Sequence, residues 1–234
     1  MFFRHNAILI IHVTSNCVKK NEKEENLMHI PSTKSQLVEI EEFYSALKKS
    51  EKQDHIRYNV QEWLYVPNDY NEYRYILGTK GENPLICIGI NPSTAAPDDL
   101  DNTLKSVERI ALGNGYDSFI MFNVYAQRAT KPDDMDDELN ENLHRENMKA
   151  FDYILSLYKE EKPSVWAAWG TIVEMRPYLK DCLREMVDIS YKHEARWFSS
   201  GAISKKGHPH HPLYLKKDSG LDKFDMENYL KILG

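Results

Sequence analysis

Four short apolar runs, separated by stretches with helical spacing, constrain this chain more than any other feature. They are Leu85–Ile90 (LICIGI), Phe119–Val124 (FIMFNV), Val165–Trp169 (VWAAW) and Arg196–Ser199 (RWFS). Between them lie the helical stretches Asn102–Leu112, Asp137–Tyr158 and Val173–Val187. A strand that is apolar throughout has both faces buried, and strands that alternate with helices are joined by crossovers. The pattern therefore predicts an α/β three-layer sandwich around a four-stranded parallel sheet. Upstream, Leu37, Ile40, Tyr44 and Leu47 fall on one face of a helix expected over Ser35–Lys49. Two aromatic-rich runs, Glu62–Val66 and Tyr73–Leu77, flank Pro67-Asn68-Asp69 and read as a β-hairpin. A last helix is expected over Phe224–Leu233, and the chain has no internal repeat.

At 234 residues, with 41% apolar and 11% aromatic content, the chain can bury one sizeable core. We expect a single α/β domain over residues 35–234 and an appended or poorly ordered segment over 1–34. Residues 15–36 are polar and charged, as in a linker. The apolar stretch Ala7–Val13 is far shorter than the roughly 20 residues that span a bilayer. It also lacks the longer apolar region and small-residue cleavage site of a secretory signal. It reads instead as a stray strand, or as sequence upstream of a true start at Met28. Cys17, Cys87 and Cys182 lie far apart without a CxxC pair. That argues against a cysteine-built zinc or iron–sulfur site and against a disulfide framework, and points to a reducing, cytoplasmic compartment. The formal charge of -6 is not the footprint of a tight, non-specific DNA binder, although a local patch can still hold phosphate. A monomer with no membrane partner, no metal and no cofactor is expected.

In open parallel sheets ligands sit beyond the carboxyl ends of the strands, where backbone groups and helix N-termini converge. The loops there carry the candidate site. After the first run come Gly89, Asn91, Pro92 and Ser93: the glycine admits close approach, and Asn-Pro forces an extended residue and then a turn. A plain strand-to-helix turn is the simpler reading of this segment. After the second run, Asn123 interrupts an apolar strand, and a buried amide must find partners or cost about 1–3 kcal/mol. A paired structural asparagine and a ligand contact both account for it. Arg128 and Lys131 bring positive charge to the same rim. After the third run, Trp169 is a core or a stacking residue, and Gly170 with Thr171 starts a helix. After the fourth, His208, His210 and His211 fall within four positions beside Lys205 and Lys206. Histidine titrates near neutrality and serves as acid, base or ligand. Pro209 and Pro212 break regular metal-ligand spacing, which leaves a plain basic loop or one that handles an anion or a base.

The segments Tyr73–Gly78, Asn91-Pro92-Ser93-Thr94-Ala95, the aspartate-rich Asp98–Thr103, Asn123 to Pro132, Glu146-Asn147, Ala168-Trp169-Gly170 and Gly207 to Leu215 occur in this order. Over roughly residues 58–216 they resemble domain-of-unknown-function family 1643. More distantly, Gly89-Ile90-Asn91-Pro92, Asn123–Pro132 and the His-Pro pairs are similar to the strand-end motifs of uracil-DNA glycosylases. That likeness implies a sheet order of 2-1-3-4 and cleavage of an N-glycosidic bond in a nucleic acid or modified nucleoside. It implies that Asn91 orients the attacking water and Asn123 reads the base edge. His208 or His211 would stabilise charge on the departing base, and Arg128, Lys205 and Lys206 would hold phosphates, with Gly89, Pro92, Ser93, Gly170 and His210 lining the pocket. A second reading is a nucleotide or small-anion pocket without this chemistry. A hydrolase using Ser93 is disfavoured, because no G-x-S-x-G elbow surrounds it.

Overall fold

The computed structural model describes residues 28–53, 56–159 and 161–234. The apolar stretch 7–13, Cys17 and the greater part of the segment 1–34 thus lie outside the described residues. Seven strands form one sheet: β1 (Trp63–Val66), β2 (Ile76–Thr79), β3 (Pro84–Gly89), β4 (Ser118–Asn123), β5 (Ser164–Ala167), β6 (Arg196–Ser199) and β7 (Asp222–Lys223). Their order is β1-β2-β4-β3-β5-β6-β7. The expectation of a four-stranded parallel sheet is corrected on this point, because the sheet is mixed and seven-stranded. The hairpin β1–β2 joins antiparallel to β4, and β7 joins antiparallel to β6. The four apolar runs supply β3, β4, β5 and β6, whose mutual pairings are parallel. Each added strand covers an edge that would otherwise leave backbone groups open to another chain.

The hairpin reaches β4 because of Gly78. A Cβ there would lie 2.3 Å from the Phe119 carbonyl oxygen and 2.8 Å from the Ile120 Cα. Only a residue without a side chain lets the two backbones pass so closely.

Helices cover both faces, as expected for strands apolar on both sides. Against α2 (Asn102–Gly113) pack Leu85, Cys87, Phe119, Met121 and Trp166. On the other face Ile86, Ile88, Ile120 and Phe122 meet α1 (Phe43–Ser50), α3 (Glu141–Ser156), α4 (Pro177–Lys192) and α5 (Met226–Leu233). Side-chain oxygens cap three of these helices. Asp101 accepts from Leu104 N at 2.9 Å, Asn140 from Leu143 N at 3.1 Å, and Asp225 from Asn228 N at 3.0 Å.

The first helix is shorter than its periodicity predicts. It begins at Phe43, and Leu37 is 77% exposed. The backbone before it is bound elsewhere. Glu41 N donates to the Tyr73 hydroxyl at 2.8 Å, the Tyr75 hydroxyl donates to Glu41 O at 2.8 Å, and Phe43 N donates to Glu146 at 2.9 Å. These tertiary bonds hold the strap extended and override local helical preference. No helix among the described residues is long and apolar enough to cross a membrane.

Candidate functional site

Because β3, β4, β5 and β6 run parallel, the loops that follow them open on one edge of the sheet. The antiparallel β2 begins at that same edge. Arg74, two residues before it, donates its backbone N–H to Ala126 O at 3.0 Å. Thus five segments, distant in sequence, converge there.

Asn123 is the last residue of β4 and pairs in register with Gly89. By alternation it continues the α2-facing row of Phe119 and Met121. It is 1% exposed, and among the described residues neither amide atom of its side chain has a hydrogen-bond partner. A Cβ on Gly89 would stand 3.1 Å from the Asn123 Oδ1, so the glycine makes room for this amide. Asn147 of α3 donates to the Asn123 backbone oxygen at 2.9 Å and so fixes the strand end without satisfying the side chain.

Asn91 is half-buried, and both hydrogens of its amide are committed. They go to Ala129 O at 2.7 Å and Pro92 O at 3.1 Å, which turns Oδ1 outward as an acceptor. Ser93 is tied to the second loop through Thr130 Oγ1 at 3.0 Å. Arg128 is fully buried, donates to the Ser93 and Ala95 carbonyls and to the Tyr65 hydroxyl, and lies 4.2 Å under the ring of Tyr70.

The histidines divide into two groups. His208 is 1% exposed, and its Nδ1 lies 2.9 Å from the Tyr229 hydroxyl. Trp169 Nε1 donates to that hydroxyl at 2.8 Å, and indole nitrogen only donates. The His208 Nε2 lies 3.3 Å from Glu174 though not aligned for a hydrogen bond. This chain of contacts anchors α5 and leaves His208 in the core beside Trp169. His211 differs. Its Nδ1 accepts from Leu213 N at 3.4 Å, which places the neutral ring's proton on Nε2. It packs over Gly170, whose added Cβ would lie 3.5 Å from the His211 Cβ, and Gly170 holds a positive φ of 63°. His210 donates from Nδ1 to the His211 carbonyl at 2.9 Å. Lys206 is exposed and ion-paired with Glu174. The edge thus gathers Gly89, Asn91, Pro92, Ser93, Asn123 and Arg128, and His211 joins the third loop to the fourth through Gly170. His208 is held by Tyr229, and Lys206 is paired with Glu174.

Arg74 belongs to the Tyr73–Gly78 motif of the sequence but is not one of the site residues that the sequence indicates. It is 1% exposed and donates to Ala95 O at 3.0 Å, the carbonyl that Arg128 also reaches. An arginine inside the apolar run YRYIL was the available signal. Its significance depends on meeting Arg128, fifty-four positions downstream, which no local pattern shows.

Burial pulls the His211 imidazole below its ordinary 6.5, while the Asp101 carboxylate pulls the other way. Burial also lowers His29, opposed by Glu72. A base whose folded pKa is depressed contributes stability above its unfolded pKa, and loses it as pH falls through the folded value. The melting temperature should therefore decline as pH drops below 6.5. A titration of Tm from pH 8 to about 5 checks this, and His211→Gln should flatten the decline.

Residues 74–213 match the family described as protein of unknown function (DUF1643), which covers more than half of the chain. The chain belongs to the DUF1643 family. The match begins at Arg74 and ends two residues past His211, so it spans every strand-end residue described above except Tyr65 and Tyr70, which cover Arg128. No curated protein and no solved structure matches the chain.

Proposed function

We propose that the strand-end edge binds a nucleotide-like, anionic ligand. The observation that carries this reading is Asn123. A buried amide with neither donor nor acceptor satisfied costs about 1–3 kcal/mol, and a nucleobase edge offers the matching acceptor and donor. The Nε2–H of His211 supplies a neutral donor at the neighbouring loops, and Arg128 supplies positive charge.

A second reading is favoured by Asn91. Its amide hydrogens are held by backbone carbonyls, so its oxygen is aimed as an acceptor, the group needed to orient a water for attack. In that reading the edge cleaves an N-glycosidic bond in a nucleic acid or modified nucleoside, as the likeness to uracil-DNA glycosylases implies. The target nucleotide is turned out of the stack, and His211 donates toward charge that builds on the departing base. Ser93, which stands where those enzymes carry a second glycine, is bonded to Thr130.

Incubation with single- and double-stranded DNA bearing uracil, hypoxanthine or a mismatch separates the two readings. Cleavage at abasic sites that falls at least about 100-fold in Asn91→Ala supports hydrolysis. No cleavage of any substrate, together with a nucleotide co-purifying by mass spectrometry, supports binding alone. If neither a product nor a bound nucleotide is found, both readings fall.

A further inference from the structure

Arg74 and Arg128 are both essentially without solvent exposure, and both point at the Ala95 carbonyl, at 3.0 and 3.3 Å. Among the described residues no carboxylate lies within 4.0 Å of either guanidinium. Their recorded partners are neutral: the Ala95 carbonyl for Arg74, and for Arg128 the Ser93 and Ala95 carbonyls and the Tyr65 hydroxyl. Among the described residues the Nε of each remains without a hydrogen-bond partner. Two like charges sharing one buried site is an arrangement that folding alone does not favour, because a buried charge without its counter-charge is strongly destabilising. Burial, and then the charge of Arg128, pull Arg74 down to about 9 against the opposing charge of Asp101, which lies beyond ion-pairing distance, and this still leaves it ionised at neutral pH. A group of charges between α1 and α3 is, by contrast, balanced. A hollow of about 280 Å³ between α1 and α3 holds Lys149 and Arg145. There Lys149 pairs with Glu146 at 2.8 Å, and Arg145 lies 3.6 Å from the same residue.

We propose that Arg74 and Arg128 form a buried subsite for a phosphate group, closed on the outside by the ring of Tyr70. It rests on the ligand-binding reading above, and assigns the phosphate of that ligand to a place Asn123 does not occupy. Guanidinium forks match the paired oxygens of a phosphate, and two of them match its double charge better than one carboxylate's single charge. Tyr70 lies on the β1–β2 turn, is 47% exposed, and stacks 4.2 Å from Arg128, so it covers the subsite from the solvent side. Its hydroxyl meets His29 Nδ1 at 3.1 Å, while the His29 backbone N–H donates to Thr130 Oγ1 and the Thr130 N–H donates to the His29 carbonyl. His29 thereby holds Tyr70 in place, and entry requires this turn to swing outward.

The test is the melting temperature of the full chain with inorganic phosphate, pyrophosphate or acetate, each against chloride at equal ionic strength. Phosphate or pyrophosphate at about 100-fold over its Kd should raise Tm by about 5 °C or more. Arg74→Met and Arg128→Met should each abolish that rise, and Arg128→Lys should weaken it. No rise with phosphate or pyrophosphate in the wild-type chain overturns the proposal whatever the variants do. So does an equal rise in both methionine variants. A rise with acetate alone replaces phosphate by a carboxylate ligand and equally overturns it. Asn123→Leu separates this subsite from the base-reading proposal. A phosphate rise retained in that variant leaves the arginine site standing even where nucleoside binding is absent. Nucleoside binding without a phosphate rise leaves Asn123 standing and removes the arginine site.

Discussion

Asn123→Leu should give a protein that is more stable and binds its ligand more weakly. The native amide is buried beside Gly89 and Met121 with neither polar atom bonded. Leucine is close in size, and replacing an unsatisfied buried polar group by an apolar one of similar shape removes its desolvation penalty. The expected gain is about 1–3 kcal/mol, read as a rise of several degrees in Tm without ligand. Ligand affinity should fall about 10- to 100-fold, since the base edge then faces a side chain with no donor or acceptor. Calorimetric melting and a binding titration on the same preparation measure both. A destabilised Asn123→Leu protein with unchanged affinity would show that the amide serves the fold.

Trp169→Ala should have the largest effect on stability. The indole is fully buried at the end of β5, where it meets Trp197, Phe224 and Tyr229 with ring centroids 5.6–6.3 Å apart. Truncation of a buried tryptophan costs about 3–5 kcal/mol through lost transfer energy and the cavity left behind. For a chain of this size that is a drop of about 6–20 °C in Tm. The indole N–H also holds the Tyr229 hydroxyl, which meets His208 Nδ1. Trp169→Phe keeps most of the packing and removes only this donor, so it should cost about 1–3 kcal/mol. If Trp169→Ala melts within a degree or two of the wild type, the aromatic cluster does not hold α5 to the sheet.

The α/β layering was legible because it rests on local regularities. Runs such as LICIGI and FIMFNV can be satisfied only with both faces covered, and each supplies a strand of the sheet. The β6 run matches Arg196–Ser199 residue for residue. The size of the sheet was not legible. β7 is two exposed residues with no apolar signal, and the hairpin's attachment to β4 depends on Gly78 meeting the Phe119 backbone. The helix expected from Ser35 failed for a related reason, since Tyr73, Tyr75 and Glu146 hold the strap that should have been its first turns.

The site divides the same way. Sequence alone brought Asn91, Asn123, Arg128 and the histidines to the strand ends, because chain order and strand polarity decide which loops share an edge. It could not separate three histidines within four positions. Tertiary structure did, by giving Trp169 and Tyr229 to His208 and leaving His211 over Gly170. Nor could sequence pair Arg74 with Arg128, since that needs an antiparallel strand to begin where a parallel one ends. Periodicity and turn chemistry act over a few residues and so are written in the chain. Whether a buried polar group meets a partner depends on residues tens of positions away, and only the packed fold decides it.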